Sequence, residues 1–248
     1  MSMRVVLSAL VIVVAIVVAA PSAYAAPTGH LSIGICTAPG AGVTLGSTKI
    51  DWTPTVPPGS DNGCIVTGVG TSVTYVGGPM LTDATLGVIK DLTVPSGPVV
   101  DFMTFATTPN LHFDLSALLP GPVNTACAGT LDPNALGCSP SLGSPYHLQS
   151  TFTGTTLTIS AQGIARDAAV PPDINSTPWL GLFTTQFAGV TPLAIQQTLL
   201  AGGTISSSES GEFNIGVSRS EIVPEPTTLL LIGSGLVASA LGMRKRKP

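Results

Sequence analysis

The chain has 248 residues, a formal net charge of −4, only 9% charged side chains, and 28 Gly with 22 Pro. That length suits one domain or two. Between Pro27 and Val223 four Lys and Arg stand against twelve Asp and Glu, a net charge of −8, which excludes nucleic acid as a partner because that needs clustered Lys and Arg.

The mean hydropathy of +0.49 is high for a soluble chain, but two short runs, Val5 to Ala20 and Thr227 to Met243, dominate it. About 200 residues lie between them, enough for one sizeable core. The first run follows the positive start "MSMR" and ends at Pro21, which breaks the apolar helix. Ala23-Tyr24-Ala25 then fits the small-x-small cleavage pattern. This order predicts a secretory signal peptide over 1–25, handed to the secretion machinery and cut between Ala25 and Ala26.

Export accounts for the cysteines. All four, Cys36, Cys64, Cys127 and Cys138, lie beyond the cleavage point, where an oxidising compartment favours disulfides. Their spacing matches no zinc pattern of close cysteine pairs. Four cysteines allow three connectivities. Sequential pairing, Cys36 with Cys64 and Cys127 with Cys138, is expected because each encloses a loop rich in Gly, Pro and Asn.

Residues 26–217 read as one exported β-rich domain. "NLHFDLSAL" puts Leu111, Phe113 and Leu115 on one face and Asn110, His112, Asp114 and Ser116 on the other; "TTLTISAQG" does the same with Leu157, Ile159 and Ala161. Period-two alternation is the signature of half-buried antiparallel strands. "CIVTGVG", "SVTYVGG", "VVDFMTFAT", "HLQSTFTG", "GLFTTQF" and "EFNIGVS" are further strands, rich in Val, Ile, Thr and aromatics. Gly and Pro clusters punctuate them. "PLAIQQTLLAG" is the one helical pattern, with Ile195 and Leu199 four apart, and "TISSSESGEFN" reads as a polar loop. The expected fold class is all-β, an antiparallel β-sandwich or jelly-roll-like ectodomain, flanked by the signal helix and one C-terminal transmembrane helix.

A search for chemistry finds no G-x-S-x-G, S-x-x-K, H-E-x-x-H, P-loop or EF-hand pattern in the exported part. No catalytic residue, metal ligand or cofactor is therefore assigned. His30 falls in a segment expected to be mobile, and His147 beside Tyr146 reads as a strand-edge residue. His112 and Asp114 share a strand face, as half of a metal or acid–base site would; two polar residues on a solvent face explain them equally well and are the expectation here. Asp51, Asp61, Asp83, Asp91, Asp101, Asp114, Asp132, Asp167 and Asp173 are scattered and read mainly as turn makers, although two converging carboxylates would suit glycoside hydrolysis. "SDNG" at 60–63 is a weak calcium pattern. Asn175-Ser176-Thr177 fits the glycosylation triplet, but Pro178 argues against its use. Trp52, Trp179, Tyr75 and Tyr146 are expected in the core rather than exposed for sugar stacking.

The segment 218–248 is a linker and tail. A helix over Thr227 to Met243 would rise roughly 25 Å, slightly less than a hydrocarbon core of about 30 Å, and Arg244, Lys245, Arg246 and Lys247 can snorkel to close the gap and hold the stop cytoplasmic. Pro224 and Pro226 set its outer boundary. Pro224-Glu225-Pro226, an apolar helix and a basic end at 244–248 together resemble the PEP-CTERM sorting signal of Gram-negative bacteria. The resemblance implies a protein anchored in the inner membrane through that helix, processed near the motif by a membrane-embedded exosortase, and then placed at the cell surface or outside the cell. Together with the missing catalytic motifs, the resemblance leads to the expectation of a non-enzymatic surface or matrix protein associated with exopolysaccharide and biofilm. A carbohydrate-binding or carbohydrate-active protein with the same address is the alternative.

Overall fold

The computed structural model describes residues 26–55, 62–170 and 175–216. The predicted signal peptide with Ala23 and Ala25, Ser60 and Asp61 of the "SDNG" stretch, Asp173, and the tail with its apolar run and basic end lie outside the described residues. The chain divides into a unit over 1–216 and a second over 217–248, and every described residue belongs to the first.

Fourteen strands and one helix make up the described chain: β1 Thr28–Ile35, β2 Gly42–Gly46, β3 Lys49–Thr53, β4 Asn62–Thr67, β5 Ser72–Thr74, β6 Leu86–Lys90, β7 Leu92–Thr93, β8 Val99–Phe105, β9 Leu111–Leu118, β10 Tyr146–Ser150, β11 Gly154–Asp167, β12 Ser176–Ala188, α1 Pro192–Leu200, β13 Thr204–Ser207 and β14 Glu209–Ile215. Eight of them pair in the order β11-β12-β14-β1-β4-β6-β8-β9, and β9 returns to β11. Every pairing is antiparallel, and the return of β9 to β11 closes the sheet into a barrel. Strand β10 adds to one half of β11 and β5 to β1, while β13-β2-β3-β7 form a separate four-stranded sheet.

The all-β antiparallel expectation holds, but the sandwich or jelly roll is corrected to a barrel. The cause lies in β11. Its fourteen residues are long enough to pair β10 through Thr155–Ile159 and β9 through Ala161–Asp167, with β12 along the other edge. One strand thus joins both ends of the sheet, and closure removes the open edges that attract other chains.

Alternation decides which side chains fill the lumen. Along β12, Thr177, Trp179, Phe183, Thr185 and Phe187 are buried while Ser176, Pro178, Leu180, Leu182 and Gln186 are exposed. Gly181 lies inward too, because a Cβ there would stand 2.0 Å from the Phe213 ring. The aromatic groups meet edge-on: Phe183 with Phe213 at 5.1 Å, Trp179 with Phe213 at 5.5 Å, and Phe102 with Phe183 at 6.1 Å between ring centres. Offset and edge contacts of this kind suit the ring quadrupoles.

The four-stranded sheet closes the barrel end where β14 begins and β12 finishes. Trp52 of β3 reaches Phe102 and Phe183 there. Helix α1 begins at its N-cap Thr191, whose side chain accepts from the Ala194 amide, and buries Ile195 and Leu199.

Two local expectations change. His30 sits in β1 between β14 and β5, not in a loose terminus. "TISSSESGEFN" is not a loop: it forms β13 and most of β14, its hydroxyls facing outward while Gly211 and Phe213 face the core.

Candidate functional site

The shared face of His112 and Asp114 is real, and the structure adds two partners. In β8 the register shifts between Val99 and Met103, and Asp101 takes a φ of 53° there, a left-handed conformation that Asp tolerates better than most residues. Asp114 Oδ1 accepts from the Asp101 amide at 2.6 Å, and Arg166 Nε donates to Asp114 Oδ2 at 2.8 Å. Arg166 also donates to the Asp101 carboxylate, which lies 2.7 Å from His112 Nδ1. Register puts Arg166 directly opposite His112 across β9 and β11. The four side chains are partly buried on the barrel wall. Their carboxylates are engaged by a guanidinium, an imidazole and an amide, so the cluster acts first as a staple across the bulge. Bulges beside polar clusters are common near functional sites, yet no group of His, Cys, Asp or Glu suited to a metal occurs among the described residues.

Most of the other carboxylates organise local backbone. Asp83 accepts from the Thr71 amide, Asp132 from Asn134, and Asp91 from Trp52, each at 2.9 Å. Asp167 accepts from Gly77 and Ala169 at 2.5 and 3.0 Å. Lys49 lies 3.6 Å from Asp51 and 3.1 Å from Asp91; burial raises the Asp91 carboxyl above its ordinary range, opposed by the Trp52 amide. His30 pairs with Glu212 at 2.8 Å across β1 and β14. His147 is on β10, where the isolated bridge from Cys138 to Leu148 covers the outer edge. The disulfides join Cys36 to Cys64 and Cys127 to Cys138.

The two ends of the barrel differ in chemistry. At the end closed by the second sheet, Glu209 is buried and accepts from the Trp52 indole at 2.5 Å. Burial pushes its carboxyl up to about 8, and the indole hydrogen bond only partly offsets this. Burial and the nearby Glu209 also push the Tyr146 phenol up; its hydroxyl donates to the Gly46 carbonyl at 2.6 Å. Asn175 is 1% exposed, so the acceptor side chain of the glycosylation triplet is buried.

At the opposite end, Tyr75 Oη, Thr108 Oγ1, both amide atoms of Asn175, Thr177 Oγ1 and Trp179 Nε1 are buried with no hydrogen-bond partner among the described residues. Each such atom, left bare, costs about 1–3 kcal/mol, and six of them rival the 5–15 kcal/mol that stabilises a whole domain. Sequence reasoning placed Trp52, Trp179, Tyr75 and Tyr146 in the core, as found, but had no signal for their polar ends. A surface cleft of about 380 Å³ lies elsewhere, lined among others by Val94, Pro95, Pro140, Leu142, Tyr146 and Leu199.

The comparison with known families bears on the tail. Residues 223–247 match the family described as the PEP-CTERM protein-sorting motif. The tail is a PEP-CTERM sorting signal. The matched span contains Pro224, Glu225 and Pro226 at its start and Arg244, Lys245, Arg246 and Lys247 at its end. PEP-CTERM tails mark the substrates of exosortase, so this chain is an exported protein, sorted by that membrane enzyme to the cell surface. No curated protein and no solved structure matches the chain. No helix among the described residues is long and apolar enough to cross a membrane; the apolar run of the PEP-CTERM tail lies outside them.

Proposed function

We propose that the protein is a non-enzymatic component of the cell surface or extracellular matrix, held in the inner membrane by its tail, released by exosortase, and working by contact with exopolysaccharide in a biofilm. The PEP-CTERM signal behind a disulfide-tied barrel is the observation that carries this reading. A closed barrel resists edge-to-edge association outside the cell, and rings pack its interior, which directs contact with a polymer to the outer wall. That wall carries uncharged hydroxyl and amide groups: Thr156, Thr158, Ser160 and Gln162 follow one another along β11.

The carbohydrate-binding alternative keeps the same wall, but not by stacking on indoles, since Trp52 and Trp179 are 2% and 1% exposed. The test is a strain lacking the gene beside one carrying Glu225→Ala in the tail. The reading predicts a thinner polysaccharide coat and weaker attachment in both, with unprocessed protein retained in the membrane of the second. An unchanged coat and normal attachment in the deletion strain would sink it.

A further inference from the structure

The polar end of the barrel stands apart from the surface role. Four segments meet there, tied to one another by hydrogen bonds. The Gly77 amide donates to Asp167, Asn110 Nδ2 donates to the Gly77 carbonyl at 2.8 Å, the Ala168 amide to Asn110 at 2.7 Å, and the Asp167 amide to Asn175 at 3.2 Å. Tyr75 precedes Gly77 by two residues and Thr108 precedes Asn110 by two. Asn175, Thr177 and Trp179 alternate along the inward face where β12 begins. Register with Ala165 and Gly163 of β11, and of Trp179 with Ile215 of β14, places them all at this end.

The unpartnered atoms define what they would accept. The Trp179 indole only donates, the Asn175 amide does both through different atoms, and the three hydroxyls of Tyr75, Thr108 and Thr177 do both. None carries a charge. Among the described residues Asp167 is the neighbouring acidic side chain, and the backbone amides of Gly77 and Ala169 donate to its two oxygens. Among the described residues an anion would find no cation here, and a cation no carboxylate without amide partners. Buried polar atoms are almost always partnered, by protein or by ordered water.

We infer that this end of the barrel is an internal binding site for neutral hydroxyl groups, groups that donate and accept at once. Two sources offer that chemistry: water molecules held inside the protein and the hydroxyls of a small uncharged polyol. The inference does not depend on the surface role proposed above.

The experiment combines diffraction with stability. Crystals of the mature protein from its host, grown without polyol and then soaked in glycerol, should show oxygen density within hydrogen-bond distance of at least three of the unpartnered atoms. Isolated peaks unchanged by the soak identify water. Connected density that appears on soaking, with saturable stabilisation of the wild type by glycerol, identifies a polyol. In parallel, Thr177→Val and Thr108→Val remove one hydroxyl each at nearly constant shape. If the site is filled as inferred, each variant raises the unfolding constant about tenfold, read from the urea midpoint. Absent density, together with variants as stable as the wild type or more so, would overturn the inference, because a bare hydroxyl is better replaced by a methyl.

Discussion

At the residue scale, Glu209 is the group whose chemistry departs furthest from its sequence context. "SSSES" reads as polar surface, and nothing in it announces that one carboxyl enters the core. Only the barrel's closure does so, by bringing Trp52 from β3 against the start of β14. The carboxyl is raised to about 8 from an ordinary 4.5, so between those values the folded state holds a proton that the unfolded chain has lost. The contribution of this group to stability is then fullest below pH 4.5 and falls by roughly a few kcal/mol as pH rises to about 8, because the unfolded chain releases the proton that the folded state keeps. Glu209→Gln keeps an acceptor for the indole and removes the charge. It should raise the thermal midpoint at pH 9, leave it nearly unchanged at pH 4, and flatten the slope between. A variant that follows the wild-type curve across that range would show that Glu209 is not the titrating group.

At the scale of elements, the sequence shows its strands through alternation and hides their partners. Leu111, Phe113 and Leu115, and likewise Leu157, Ile159 and Ala161, lie on the buried faces that period two assigns. That same pattern serves a sandwich and a barrel alike, since both bury one face of each strand. What separates them is pairing, and here the decisive pairing is β9 with β11. The Asp101–His112–Asp114–Arg166 staple spans that seam and the neighbouring bulge. Half of it was legible, as His112 and Asp114 two apart on one strand. Asp101 and Arg166 were not, because a left-handed residue in a bulge and a cross-strand register leave no local mark. Arg166→Met would leave two carboxylates facing each other without their shared cation. At this partly exposed site the cost should be about 1 kcal/mol after solvent screening, read as a lower urea midpoint. The double variant Arg166→Met with Asp114→Asn should recover part of the loss. A single variant as stable as the wild type would mean that the staple contributes only to conformation.

At the scale of the whole molecule, the order of strands ties folding to export. β1 pairs with β14 over Gly29–Gly34 against Ser210–Ile215, so the barrel cannot close until its last strand is available, just before the unit that begins at Val217. The sorting address was legible because it is linear: a Pro-Glu-Pro step followed by an apolar run and a basic end. The closed fold was not, because its seam joins residues far apart in sequence. The disulfides span 28 and 11 residues, and each should restrict the unfolded chain by about 3 kcal/mol on a loop-entropy account. The two ends and the disulfides are measured together by the intact mass of protein recovered from its native host. The expected species begins at Ala26 and ends near Pro224-Glu225-Pro226, and reduction adds about four mass units, two for each disulfide. A mass that retains Arg244 to Lys247 would make the tail a lasting anchor and remove the release step. A mass unchanged by reduction would mean that the barrel leaves the cell without its covalent ties, and its stability outside would then rest on packing alone.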